Sequence, residues 1–511
     1  MHWGNELATM RGRYGQRVGI IDAEGSHTIA EIVDRAAGIA DCLSALGFGP
    51  GDFIATVFQN SMLAAAASYA VALTGATEVP INPVLSQKEF DHAVSCTGTR
   101  IMLLDRATTP TLTPCVAVED VRKCAPRPLT AEGWPDVEPE TPSRIVFTSG
   151  TTGPAKGAIH THLGRWAAGL LLRSVLPTRP GGQNRILLMT PFSHGSSLLT
   201  FAYLAEGASV HLMHGVNTAA VLPLLASGSI TEMFAPPTVL AKLTEALEQT
   251  DSAKPQLHTI LTGTAPLSPM LYHKAVAQFG EIIRVTYGKS EMFNPITVLS
   301  PPETAEAYAG NASTDEGLCV GWAATGVRIE IRDDGGRVLR DGESGHIFLH
   351  SPHMFRGYIT VNGLKMLAPG EFHDTGDLGR IDRTGRLFLV ARQSDMMKTG
   401  GYKVAPDEVE RALAAALPET EIIALGFPSE YWGEIVTLVA ECPPSDWQER
   451  LAPALASMTS YKRPRLFVAI DELPRNAIGK LSRAELRRRL AELYDLIETP
   501  QPALVGKGRQ I

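Results

Sequence analysis

Residues 148–157 read Thr-Ser-Gly-Thr-Thr-Gly-Pro-Ala-Lys-Gly. Gly150, Gly153 and Gly157 have no Cβ, so this backbone can bend through unusual dihedrals and approach a ligand closely. Between them stand the hydroxyls of Thr148, Ser149, Thr151 and Thr152 and one cation, Lys156. Free N–H groups, hydroxyl donors and a positive charge on one loop suit a polyphosphate tail. The string is not the P-loop of the common NTPases, which closes on Gly-Lys-Ser/Thr, because here Ala155 precedes Lys156 and Gly157 follows it. A polar Gly/Thr linker is the alternative for the string taken alone. Arg144-Ile145-Val146-Phe147, directly before it, reads as a short strand delivering the loop and favours the phosphate reading.

Four later clusters also carry chemistry. Tyr287-Gly288-Lys289-Ser290-Glu291 follows the apolar segment 282–285; its ring could stack a base, its hydroxyl touch a phosphate and its carboxylate hold a hard cation. Taken singly, such a string is more often an ordinary strand-end turn. Asp374-Thr375-Gly376-Asp377 is a turn whose aspartate could accept the hydroxyls of a ribose. Arg392 and Asp395 precede Gly400-Gly401, and Lys480 closes the turn Leu473–Lys480. A solvated lysine is the alternative for Lys480 alone.

The elements that must position these residues alternate. Ile32, Val33, Ala36, Ile39, Ala40 and Leu43 recur at helical spacing, and the glycines from Gly47 onward stop that helix. Phe53–Phe58 reads as a strand, and Asn60 can cap the Ala-rich helix after it. The rhythm returns at Arg185–Met189, Ser209–Met213 and Leu257–Leu261, which predicts an α/β fold with largely parallel sheets. From about Gly317 the texture changes to short strands and Gly/Asp-rich turns, a small β-rich subdomain over 317–391. A third texture follows, with Pro406 at a first helical position and Asp407, Glu408 and Glu410 in the opening turn. The expected organisation is a large domain, 1–391, and a small mobile α+β C-terminal domain, 392–511.

Length, charge and cysteines set the remaining bounds. The 511 residues are worth about three domain-equivalents, and 44% hydrophobic with 20% charged residues is an ordinary globular composition. A net charge of −8 argues against a nucleic-acid partner. Six cysteines without a Cys-x-x-Cys pair suggest free thiols in a reducing, cytoplasmic compartment. The longest apolar stretch, Met62–Leu73, is too short to span a bilayer and reads as a buried helix.

In order and spacing, the strings at 148–157, 287–291, 374–377, 391–410 and 473–480 resemble the adenylate-forming superfamily of acyl-CoA synthetases, adenylation domains and firefly-type luciferases. Gly51-Asp52, Asn60-Ser61, Pro80-Ile81-Asn82 and the stretch from Gly342-Glu343-Ser344-Gly345 to Gly357-Tyr358 extend the resemblance over nearly the whole chain. The resemblance implies that the 148–157 loop holds the β- and γ-phosphates of ATP, Tyr287 beside Gly288 stacks on adenine, Ser290 touches the α-phosphate and Glu291 holds Mg²⁺. It gives Asp377 and Arg392 the ribose, and Lys480 the bridge between the α-phosphate and the attacking carboxylate. A compact point charge on a flexible stem suits that last task. Gly400 and Gly401 match glycines that let the pantetheine of CoA pass, with Tyr402, Lys403, Tyr461 and Lys462 near its nucleotide. Ser394 occupies the hinge position, where relatives often carry Asp or Lys. Pro154-Ala155 and Ala391 are smaller departures that remove no functional group.

Family precedent places the acid around Pro191–Ser196, around Thr262-Gly263-Thr264-Ala265 and just beyond Glu291. Gly195, Ser196, Ser197 and Gly263 would leave room for a chain or ring, and Thr264 and Ala265 would border the nucleotide. His194 is expected as a gate or as a packed, hydrogen-bonded histidine. Lys289 either points to solvent or faces the pocket, where a second carboxylate on the substrate would satisfy it. The implied activity is Mg·ATP-dependent ligation of a medium-chain, aromatic or alicyclic acid to CoA. Loading of an acyl carrier protein, or a non-catalytic nucleotide sensor, are the alternatives; a homodimer is left open.

Overall fold

The computed structural model describes residues 1–106, 116–148, 155–176, 182–250, 255–309, 317–400, 402–475, 481–497 and 502–507. The chain forms two compact units: the first comprises 1–306, 321–328 and 350–371, the second 307–320, 329–349 and 372–511.

The first unit contains two sheets. In one, the strands run in the order Gly363–Met366, Gly357–Thr360, Lys156–Thr161, Pro142–Thr148, Thr77–Ile81, Phe53–Val57, Ile101–Leu104, Ala117–Asp120. Pairing is parallel from Pro142–Thr148 to Ala117–Asp120 and antiparallel on the other side. The other sheet is parallel from Ile283–Tyr287 through Thr259–Thr262, Glu232–Phe234, Arg185–Leu188 and Ser209–Leu212 to Val18–Asp22. Two helices lie in the core they share. Ile29–Ala45 starts at a capping box of Thr28 with Glu31, and Met62–Thr74 is buried at every position. A helix apolar all round must be covered all round, and one apolar cluster joins both helices to Ile54 and Leu103 of one sheet and Ile186 and Val210 of the other.

The cap of the Ala-rich helix differs from the sequence expectation. Ser61, not Asn60, is the N-cap and accepts from the Ala64 N–H. Asn60 is buried and works at longer range: its amide donates to the carbonyls of Thr190 and Met213 at 2.8 Å each, and its Oδ1 accepts from the Phe192 N–H. Asn60 thereby fixes the segment that opens the turn Phe192–Ser196.

In the second unit, strands His373–Ile381 and Arg386–Arg392 pair antiparallel, and a 3₁₀ turn, Gln393–Asp395, follows. The hairpin Ile422–Ser429/Gly433–Glu441 carries Leu466–Ile470 in parallel on its second strand. Helix Pro406–Ala414 begins at its proline, as expected, with Asp407 and Glu408 in the first turn. Arg483, at the start of helix Arg483–Leu493, binds Asp395, Asp407 and Glu410. The five described cysteines are free, and no described helix is long and apolar enough to cross a membrane.

Asn60→Asp would set a carboxylate against two carbonyls that now receive N–H donors. Loss of buried hydrogen bonds plus an uncompensated charge is expected to cost about 3 kcal/mol or more, read as a lowered thermal midpoint, with Asn60→Ala less damaging than Asn60→Asp.

Candidate active site

The strand Pro142–Thr148 ends where the glycine- and threonine-rich loop begins. Ser149, Gly150, Thr151, Thr152 and Gly153 lie outside the described residues, as do Gly401 and Lys480. The loop's exit is described: Lys156 is exposed at the start of the next strand, with Nζ 5.7 Å from the centre of the Tyr358 ring. Tyr358 Oη in turn donates to Glu291 Oε1 at 2.8 Å. Burial and the adjacent Glu291 charge push the Tyr358 phenol up, so it remains a donor. A cation, a neutral donor and a carboxylate thus line up beside the loop. Among the described residues no cluster of three or more His, Cys, Asp and Glu could hold a metal. A Mg²⁺ here would take Glu291 and phosphate oxygens, a donor set this ion accepts because it needs few protein ligands.

The segment after Tyr287 is shaped by close contacts. Tyr287 ends strand Ile283–Tyr287 and is mostly buried. A Cβ on Gly288 would lie 2.1 Å from Asn294 Oδ1, and one on Gly263 2.6 Å from the Thr286 carbonyl, so both positions exclude a side chain. Thr264 is exposed with φ 70°, a left-handed conformation that non-glycine residues adopt at a cost and that occurs preferentially at functional turns. Ala265 beside it is half-buried, as are Lys289 and Ser290. His160, fully buried, places Nε2 2.7 Å from the Ser290 carbonyl and stacks on Phe293 at 3.7 Å. This clamp holds the backbone between Ser290 and Glu291.

A small apolar cavity of about 30 Å³ lies in the same unit, lined by Leu172, Val175, Leu199, Phe234 and Leu261, with Gly195 at one wall. Its polar groups are Arg284, Thr286 and Asn294. His194, Ser196, Gly263 and Lys289 are not among its lining residues. Ser196 is buried, its hydroxyl at 2.6 Å from Thr190 Oγ1 and 2.8 Å from the Thr190 carbonyl. His194 breaks the helical geometry of its turn, and burial followed by the charge of Arg144 pushes its pKa down to about 4.

Behind the loop-leading strand sits a charged cluster that sequence reading missed. Arg144 and Arg165 flank Glu78 at 3.3 and 3.7 Å, all three buried, with Ser68 and Thr56 also donating to the carboxylate. Burial alone would raise the Glu78 pKa, but the two guanidiniums and the hydroxyls hold it below the usual range. The available signal was a charge inside an apolar strand, at both Glu78 and Arg144.

In the second unit Asp377 and Arg392 face each other across paired strands, Arg392 Nε 3.3 Å from Asp377 Oδ1. Gly400 has φ 55°, and a Cβ there would press on the Trp432 ring at 3.3 Å.

His160, His162, His194 and His353 have pKa values pushed down to about 3, 4, 4 and 4, foremost by burial. The folded state therefore binds fewer protons than the unfolded one between about pH 4 and pH 6.5. Stability is full above that window and falls as pH drops through it. His160→Gln keeps a donor to Ser290 and removes one titrating group, so the slope of stability against pH should flatten by up to about 1.4 kcal/mol per unit, measured from urea midpoints.

The sequence profile described as AMP-binding enzyme matches residues 8–359. The chain is 27% identical over 483 residues to the long-chain-fatty-acid–CoA ligase FadD13 of Mycobacterium tuberculosis, covering 90% of this chain and 92% of that protein. It is 29% identical to the fatty acid–[acyl-carrier-protein] ligase ScoC of Streptomyces coeruleorubidus, covering 88% and 89%. Among solved structures, the o-succinylbenzoate CoA synthetase MenE of Bacillus subtilis, in complex with its acyl-adenylate intermediate, superposes with a TM-score of 0.80 at 26% identity, over 94% of this chain and 97% of that one.

Proposed function

The chain belongs to the AMP-binding enzyme family, and from that premise we propose that it is an AMP-forming acid–CoA ligase acting on a medium-chain, aromatic or alicyclic carboxylic acid. The observation that carries the reading is the line Lys156–Tyr358–Glu291 beside the closely packed turn at Gly263 and Gly288.

In the first half-reaction the substrate carboxylate attacks the α-phosphorus of ATP, forming the acyl–O–P bond and releasing pyrophosphate. Two anions must meet, so positioning and charge neutralisation supply most of the rate. The loop with Thr148 and Lys156 takes the outer phosphates, Tyr287 the adenine and Asp377 with Arg392 the ribose. Ser290, whose own carbonyl is held by His160, touches the α-phosphate. Mg²⁺ at Glu291 would neutralise charge on the phosphate oxygens. In the second half-reaction the CoA thiol gives up its proton and attacks the acyl carbon, and AMP leaves. Gly400 and Gly401 give its pantetheine room, and the turn Gln393–Asp395, containing Ser394, is the hinge about which residues 392–511 reorient.

Likeness to ScoC supports a second reading, transfer to the phosphopantetheine of a carrier protein. Mass spectrometry of enzyme with Mg·ATP, CoA and a pool of acids separates them: a new acyl-CoA with AMP supports the first, whereas AMP and an acyl group only on added carrier protein supports the second. Lys480→Ala is expected to slow pyrophosphate release on the order of 10²–10³-fold. An unchanged rate would remove Lys480 from the adenylation step.

A further inference from the structure

One face of a strand pair grips residues 290 and 291. In Lys156–Thr161, the side chains of Lys156, Ala158 and His160 share a side. Tyr358, in the strand Gly357–Thr360, lies directly opposite Ala158. Its ring therefore stands between Lys156 and His160 on that face. Three contacts reach the dipeptide from here. His160 Nε2 meets the Ser290 carbonyl at 2.7 Å, the Phe355 N–H donates to the Glu291 carbonyl at 2.8 Å, and Tyr358 Oη donates to Glu291 Oε1 at 2.8 Å. The first two hold the main chain; the third holds the carboxylate itself.

A phenylalanine at 358 would keep the tilted contact with the Phe355 ring, 4.8 Å away, and the contact with Lys156 Nζ at 5.7 Å. The hydroxyl is therefore not needed to fill space, and a half-buried phenol costs free energy unless it finds a partner. Its partner is the carboxylate that the ligase reading, on which this inference rests, assigns to Mg²⁺. A glutamate side chain turns about three bonds, so a fixed main chain does not by itself fix its oxygens. Mg²⁺ demands near-ideal octahedral geometry and takes few protein ligands, so a wandering carboxylate holds it poorly. We infer that Tyr358 is a positioning residue for the metal: its hydroxyl occupies one oxygen of Glu291 and leaves the other, now restrained, for the Mg²⁺ that accompanies ATP. The outer partners of ligating groups contribute about 10–100-fold to metal affinity in general.

The test compares the native enzyme with Tyr358→Phe, Glu291→Gln and the double variant. Mn²⁺, which suits the same oxygen donors and is visible by electron paramagnetic resonance, is titrated into each enzyme with a non-hydrolysable ATP analogue. Pyrophosphate release is followed in parallel against Mg²⁺ concentration with a pool of acids. Expected in Tyr358→Phe are a thermal midpoint close to native, Mn²⁺ binding weakened about 10–100-fold, and a rate that recovers as Mg²⁺ is raised. Adding Tyr358→Phe to Glu291→Gln should change metal binding by less than about twofold, because a residue that acts through Glu291 then has nothing to act on. Native-like Mn²⁺ affinity in Tyr358→Phe, or a full further loss in the double variant, overturns the positioning role and leaves the ligase reading standing. No pyrophosphate release by the native enzyme with any acid overturns the ligase reading and this inference with it.

Discussion

One buried carboxylate organises the first unit. Glu78 lies opposite Arg144 in register on the neighbouring strand, and Arg165 approaches from helix His162–Val175. Ser68, from the Ala-rich helix, and Thr56, from the strand on the other side, complete its shell. Arg144 then reaches Ser197 Oγ at 2.9 Å, at the start of the helix after the turn Phe192–Ser196. Two cations share one anion in a region without water to screen them, so each partner left alone would be a buried charge of several kcal/mol. The strand that carries the loop, the helix behind it and the turn beside the cavity cannot shift independently without breaking this cluster.

From that anchor the working groups inherit their positions. Arg144 is one strand-length before the loop, so fixing it fixes where the loop begins. On the next strand, Lys156 opens the pair that leads to His160, and His160 holds the Ser290 carbonyl four residues away from where Lys156 meets Tyr358. Asn60 does for the other wall what Glu78 does for this one, tying three chain segments through one amide. Gly263 and Gly288 let the Thr286 carbonyl and the Asn294 side chain pack directly against the backbone there.

The second unit has its own hub of the same kind with the charges reversed. Arg483 gathers Asp395, Asp407 and Glu410. Burial, followed by the neighbouring Asp407 charge, pushes Glu410 up to about 7 despite the guanidinium. Asp395 belongs to the turn at which the hinge is proposed, so this hub joins that turn to two helices of the unit.

The sequence by itself determined the local elements and the chemical inventory. Periodicity located the helix Ile29–Ala45, the proline start of Pro406–Ala414 and the alternation that makes parallel sheets, because those signals live within one or two turns of chain. The order of the Gly/Thr loop, Tyr287–Glu291, Asp377 and Arg392 carried the resemblance to the family. Tertiary structure decided who pairs with whom. Asn60 read as a cap and became a long-range bridge; Arg144 read as part of the strand delivering the loop and, with Glu78, became the anchor; Arg284 passed as part of an apolar strand and became the charge in the cavity wall. In each case the deciding contact joins residues far apart along the chain, or depends on which face of a strand meets a cavity. Neither is encoded in spacing, because a strand's alternation says that two faces exist and only packing says what lies against each.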